Sequence, residues 1–146
     1  MRDVLEVFKS PIETFFSAVM VMDRYLHEKK ESLKIEELHE IGVTSILIAS
    51  KYSELEPLTV DLMHRKASHG KVGIKNIIER EKEILNTLKF EVAVPTVNEC
   101  SETFLSMICY KFPKMKIHRE QIHLNSIELM KTAMLNYRFC FEMKPT

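Results

Sequence analysis

Gly42-Val43-Thr44-Ser45-Ile46-Leu47-Ile48-Ala49-Ser50-Lys51-Tyr52 is the stretch on which the fold turns. Extended back to about Leu33, its stripe reads Ile35, Leu38, Ile41, Gly42, Ser45, Ile46, Ala49. That spacing of three and four residues belongs to a helix and not to a strand. From Ile46 to Ala49 the sequence is apolar on every side, so a helix there has neighbours all round. Gly42, Ser45, Ala49 and Ser50 are small and let those neighbours approach closely. The reading is the central helix of a bundle, running to Tyr52, with the cation Lys51 near its end.

Thirty positions on, a second helix is written in Ile77-Ile78-Glu79-Arg80-Glu81-Lys82-Glu83-Ile84-Leu85. Its apolar stripe is Ile74, Ile77, Ile78, Glu81, Ile84, Leu85 and Leu88, with Glu79, Arg80, Lys82 and Glu83 outward. Glu81 therefore falls on the apolar face. A carboxylate there is costly unless paired, and Lys51 is the natural partner. The residues alone leave two readings: an internal ion pair, or a docking point for another protein at a surface opening.

The composition frames these helices. The chain has 146 residues, 45% of them hydrophobic and 29% charged, with three Gly and five Pro. This is one domain, or one and part of another, with enough chain to bury a core and few breakers to shorten its helices. Net charge is zero, so nothing draws the whole chain toward nucleic acid or an anionic membrane. The first 60 residues lean acidic and the rest basic, notably His64-Arg65-Lys66 and Lys111 to Arg119; a solvated face explains this better than a nucleic-acid patch. Cys100, Cys109 and Cys140 are an odd set without a CxxC and fit free thiols in a reducing compartment. Thr14–Met22 and the run from Ile41 are too short for a membrane helix, which needs about 20 residues.

The rest of the chain reads as further helices. Met1–Phe8 resembles the last turns of one. Ser10-Pro11-Ile12-Glu13 predicts a capping box with Pro at the first helical position, opening a helix that is apolar nearly all round through Phe15, Phe16, Val19 and Met22. Glu28–Ser32 is a charged loop. Thr59 is expected to cap a fourth helix ending near Ser68, before a loop at His69–Gly73. Phe90 to Pro95 is expected to be extended, with Phe90 and Val92 on one side. Thr96-Val97-Asn98-Glu99 predicts a second capping box and a sixth helix to about Cys109. Lys111–Lys116 is expected to be a basic loop, and Arg119–Leu135 a seventh helix with the stripe Ile122, Ser126, Leu129 and Ala133. The fold class is all-α: about five helices, a proline-marked linker and two more.

Four segments resemble, in order and spacing, the cyclin family. Gly42–Tyr52 is similar to the third helix of a cyclin box. Val21-Met22-Asp23-Arg24-Tyr25-Leu26 resembles the Asp-Arg-aromatic-Leu ending of its second helix. Glu79–Leu85 followed by Leu88-Lys89-Phe90 resembles its fifth helix and exit, and Val94-Pro95-Thr96 the entry to a second cyclin fold. The pattern is closest to mitotic, A- or B-type cyclins. The resemblance implies a five-helix cyclin box over residues 1–93, lacking the start of its first helix, and a partial C-terminal cyclin fold over 94–146. It implies a regulatory subunit, not an enzyme, that binds and activates a cyclin-dependent protein kinase in cell-cycle control. Lys51 and Glu81 would bridge to the kinase, and Tyr52, Leu85, Phe90 and Val92 would seat its mobile helix. Asp23, with Arg24 beside it, would hold the box together internally. The kinase would supply the chemistry; no cofactor, direct nucleic-acid contact or membrane contact is implied. Localisation by the same analogy is nuclear, cytoplasmic or both. The chain departs from the family in lacking tryptophan and in carrying His39-Glu40 and Ser53, which puts a substrate-recruiting patch in doubt.

Other readings are weaker. His64 and His69, like His118 and His123, are five apart and off a shared helix face, and no Cys stands at zinc spacing from them. There is no GxSxG and no phosphate loop. A transcription-factor-type module of the same fold would carry a strongly basic face. A non-activating cyclin-like fragment would leave the apolar faces of the sixth and seventh helices uncovered.

Overall fold

The structure is a computed structural model, and it describes residues 2–29 and 34–134. Residues 30–32 of the charged loop lie outside the described residues, as do Leu33 and Leu135, the expected ends of the third and seventh helices, Cys140 and the Lys144-Pro145-Thr146 end. The order is α1 (Arg2–Phe8), α2 (Ile12–Glu28), α3 (Ile35–Ser53), a short α4 (Val60–Leu62) widening into a π turn (Met63–Ala67), α5 (Ile74–Thr87), α6 (Val97–Lys111), a 3-10 segment (Pro113–His118) and α7 (Arg119–Met134). No strand occurs among the described residues, so the all-α expectation holds. Among the described residues no helix is long and apolar enough to cross a membrane. The chain forms two compact units, Met1–Val94 and Pro95–Thr146.

In the first unit α3 is the axis. It packs against α2, α5 and the π turn. Every residue from Val43 to Ser50 is buried, and so is Ile41, as an all-round apolar helix requires. Its neighbours bring Phe16, Tyr25, Met63, Ile77 and Ile84, all fully enclosed. Phe15 and Phe16 meet edge to face at 5.3 Å. Val21 and Tyr25 of α2, Ile41 and Ile48 of α3, and Ile84 with Leu88 at the end of α5 form one cluster joining the three helices. Each such side chain contributes about 1.5–3 kcal/mol when fully buried.

Several local readings change. The Ser10 capping box does not form. Pro11, with ψ near 152°, is itself the cap residue and Ile12 the first helical one. Ser10 is thus one residue too far upstream, and its buried Oγ has no hydrogen-bond partner among the described residues. Instead α1 closes on itself: Lys9 takes φ 54°, its N–H donates to Glu6, and the Ser10 N–H donates to Leu5. Those two bonds make a Schellman ending. Ile35 and Leu38 are exposed, so the α3 stripe starts at Ile41. Thr59 caps α4 as expected, accepting from Leu62 N–H at 3.3 Å. The helix then widens, because the Ser68 N–H bonds the Met63 carbonyl five residues back.

The second unit opens with the expected box. The Glu99 N–H reaches Thr96 Oγ1 at 3.3 Å and the Glu99 carboxylate accepts the Thr96 N–H at 2.8 Å. α6 and α7 pack through buried Leu105, Cys109 and Ile127. The basic loop at Lys111–Lys116 is largely a 3-10 segment begun by Pro113. Leu129 is exposed, so the α7 stripe runs through Ile127 and not through Leu129.

Candidate functional site

Lys51 and Glu81 meet. Lys51 Nζ donates to both oxygens of the Glu81 carboxylate, at 2.7 and 2.9 Å. The Lys51 side chain is 44% exposed and that of Glu81 14%. The pair therefore stands at a surface opening, with Glu81 rooted beside the core and Lys51 at the rim. As an internal tie it contributes little: exposed pairs are worth about 0–1 kcal/mol.

Local bonds fix the end of α3 that carries Lys51. The Thr14 hydroxyl, fully buried on α2, donates to the Glu54 carboxylate at 2.9 Å. Ser50 Oγ accepts the Leu58 N–H at 2.8 Å. These bonds hold the turn after α3 against the bundle, so Lys51 projects from a fixed base.

α5 carries two adjacent apolar stripes. Ile77, Ile84 and Leu88 are buried. Ile74 and Ile78 are exposed and Leu85 half-buried, and by helical phase they form a second stripe with Glu81 on the seam between the two. The outer stripe continues past the helix. Lys89 and Phe90 both adopt positive φ, 52° and 61°. The Phe90 N–H bonds the Leu85 carbonyl at 2.8 Å and the Lys89 N–H bonds that of Asn86 at 3.0 Å, a Schellman ending with lysine where glycine is usual. This turn throws the Phe90 ring outward, 66% exposed, while Leu85 and Val92 lie against the core cluster. Phe90 is therefore not extended and shares no buried side with Val92. Tyr52, next to Lys51, is also exposed. The site thus combines one neutralised ion pair with exposed Tyr52, Ile78 and Phe90.

Asp23 sits differently from the internal tie expected of it. It is exposed and has no hydrogen-bond or ion partner among the described residues, and partial burial pushes its carboxyl above the ordinary value. Arg24 beside it holds the chain after α5, donating to the Glu91 carbonyl and standing 3.8 Å from the Glu91 carboxylate.

The main internal tie is one the sequence reading placed outward. Arg80 is only 11% exposed and reaches Glu40 at 2.7 Å, Glu83 at 2.8 Å and Glu37 at 3.3 Å. It also donates to the Tyr25 hydroxyl at 3.2 Å. Tyr25 donates to Glu83 at 2.8 Å, and Lys29 closes the network on Glu83 at 2.5 Å. Burial works against the Arg80 charge, but bonds to Glu40 and Tyr25 and the Glu40 and Glu83 charges raise Arg80 above its ordinary value. Burial likewise opposes the Glu83 charge, and the bonds from Lys29 and Tyr25 outweigh it and lower that carboxyl. The Lys34 backbone N–H lowers Glu37, and bonding to Glu83 raises Lys29. A signal was present: Ile77, Arg80 and Ile84 stand at i, i+3 and i+7, so Arg80 flanks the buried stripe. Neighbouring residues of α5 thus grip α3 at Glu40 and Lys51, about 16 Å apart along its axis. The buried Arg80–Glu40 contact does most of this holding of α5, and with it of Glu81, Leu85 and the exit turn; the exposed Lys51–Glu81 pair adds little. Among the described residues no group of three or more His, Cys, Asp or Glu could hold a metal ion.

Residues 1–93 match the family model for the cyclin N-terminal domain. The chain is 33% identical over 132 residues to the G2/mitotic-specific cyclin-B of Dictyostelium discoideum, covering 90% of this chain and 28% of that one. It is 31% identical over 138 residues to the G2/mitotic-specific cyclin C13-1 of Daucus carota, covering 92% and 37%. To cyclin-A3-1 of Oryza sativa it is 30% identical over 135 residues, covering 88% and 34%. The chain therefore spans about a third of the length of the curated relatives it matches.

Proposed function

The chain belongs to the cyclin family, and on that premise we propose that it is a regulatory subunit that binds a cyclin-dependent protein kinase and switches it on in cell-cycle control. The observation that carries this reading is the Lys51–Glu81 pair at the surface, set among the exposed side chains of Tyr52, Ile78 and Phe90. In this reading the first unit is the N-terminal cyclin box and the second the beginning of a C-terminal cyclin fold. The protein acts in the nucleus, the cytoplasm or both.

The mechanism is differential binding. The kinase has active and inactive positions of the mobile helix whose glutamate pairs with its ATP-binding lysine. A subunit that docks better on the active position shifts the population toward it by its difference in affinity. Here the apolar groups Leu85, Phe90 and Val92, with Tyr52, seat that helix, and Lys51 and Glu81 set its register through charge-assisted bonds. The chain itself carries out no bond chemistry.

The test is peptide phosphorylation by a purified cyclin-free kinase as this chain is added. Phosphorylation is expected to rise with chain concentration and to saturate, and Glu81→Lys to abolish the rise. A flat response to saturating wild-type chain would overturn the proposal.

A further inference from the structure

In the first unit, the end where α5 begins has a tightly bonded backbone and carries cations that no carboxylate answers. The chain leaves the π turn through His69 and Gly70, both at positive φ, 50° and 73°, and doubles back. The Gly70 N–H donates to the His64 carbonyl at 2.8 Å, and His64 Nδ1 meets the Val72 carbonyl at 2.7 Å. Buried Ser68 donates to the His64 carbonyl at 2.7 Å and accepts the Val72 N–H at 3.3 Å. Gly73 then caps α5. On this frame Arg65, Lys66, His69, Lys71 and Lys75 are all exposed. Arg65 bonds Asp61, but Lys66, Lys71 and Lys75 have no carboxylate partner among the described residues. No Asp or Glu stands between Asp61 and Glu79. The first turn of α5, where acids are favoured, holds Lys75 and no acid. In a chain of zero net charge this is a local positive field, and it abuts Ile74, where the exposed stripe of α5 starts.

We propose that this surface is a basic rim of the kinase-docking face and receives a carboxylate-rich segment of the kinase lying beside its mobile helix. The inference rests on the kinase-binding reading above and adds to it the chemistry of a second contact. Charge complementarity names the occupant, because three lysines without internal partners on a fixed backbone answer Asp and Glu. Continuity gives its place. Lys71 and Lys75 flank Gly73 and Ile74 in the chain, so a protein seated on Ile74 and Ile78 extends over them. Such rim charges act before contact. The Debye length is about 8 Å at physiological salt, within which the lysines attract and orient the approaching kinase. The apolar stripe and the Lys51–Glu81 pair hold it afterwards. The signature therefore lies in the association rate and its salt dependence, not in the dissociation rate.

Stopped-flow mixing of the full chain with a purified cyclin-free kinase, at about 50 mM and about 500 mM salt, reads that rate. K71E/K75E is expected to associate about five- to tenfold more slowly than wild type at low salt, with a dissociation rate within about twofold. At high salt the difference is expected to shrink below about twofold. Both positions are exposed and an acid in the first turn of α5 favours the helix, so the variant keeps its fold, checked by circular dichroism. K114E/K116E, in the 3-10 segment of the second unit, changes the net charge equally and is expected to stay within about twofold of the wild-type rate. A K71E/K75E rate equal to wild type, or lowered no more than that of K114E/K116E, overturns the proposal and leaves kinase binding itself standing. No binding by a folded wild type overturns the docking reading and the rim with it. Duplex DNA binding that K71E/K75E abolishes, with kinase association unchanged, overturns the proposal in favour of nucleic acid.

Discussion

Replacing Arg80 by methionine keeps an unbranched stem under the α2–α3–α5 junction and removes only the guanidinium. Its carboxylate partners are then not equally stranded. Glu83 keeps Lys29 and Tyr25, and Glu37 keeps the Lys34 N–H at 3.0 Å. Glu40, 18% exposed, has no second side-chain partner among the described residues. Breaking a fully buried pair costs about 3–5 kcal/mol and an exposed one at most about 1 kcal/mol. The burial of Arg80 and Glu40 places this loss between those limits, at about 2–3 kcal/mol. For a unit of this size that is a fall in Tm of about 8–24 °C, read by circular dichroism at neutral pH. Adding Glu40→Gln to Arg80→Met removes the stranded charge and is expected to recover at least about 1 kcal/mol. A Tm change under about 3 °C, or a double variant less stable than Arg80→Met alone, would refute this view of the network.

Other expectations follow from the same structure. Glu83 and Glu37 have folded values below the ordinary 4.5, so their stabilisation is present above that pH and lost as pH falls through the lower folded values; urea midpoints at pH 6, 4.5 and 3 should drop in that order. Asp23 is shifted the other way, above 3.8, so its ionised form opposes folding as pH rises through the folded value. Asp23→Asn should stabilise at neutral pH, by less than about 1 kcal/mol because the group is exposed, and a loss of Tm would count against the reading. Thr96→Ala removes the cap of α6 and should cost about 0.5–2 kcal/mol, measured by urea denaturation; an unchanged midpoint would show the box to be idle.

Much of this was written plainly in the sequence. The α3 pattern, apolar on all sides through Ile46–Ala49, has only one comfortable place, the middle of a bundle. Glu81 on an apolar stripe pointed to Lys51, and the bidentate pair is there. The Thr96–Glu99 box formed because cap and carboxylate are local. What stayed hidden depended on tertiary or left-handed geometry. Glu79-Arg80-Glu81-Lys82-Glu83 looks uniformly solvated, yet Arg80 lies inward because α3 brings Glu37 and Glu40 to it. Phe90 reads as the start of an extended segment, but the turn at Lys89, a residue that seldom takes positive φ, carries it outward. Ser10 matched a capping motif whose proline stood one position too early to be its first helical residue.

The most direct test exchanges the two charges of the surface pair. The variant K51E/E81K keeps an opposite-charge pair within the chain while inverting what a partner meets. Calorimetric titration of wild type and variant into a purified cyclin-dependent kinase, with Tm measured alongside, separates an internal tie from a docking point. Docking through this pair predicts a variant within about 1 kcal/mol of wild-type stability whose kinase affinity is at least about tenfold weaker. Equal affinity for the two proteins, or no binding by a folded wild type, would contradict it.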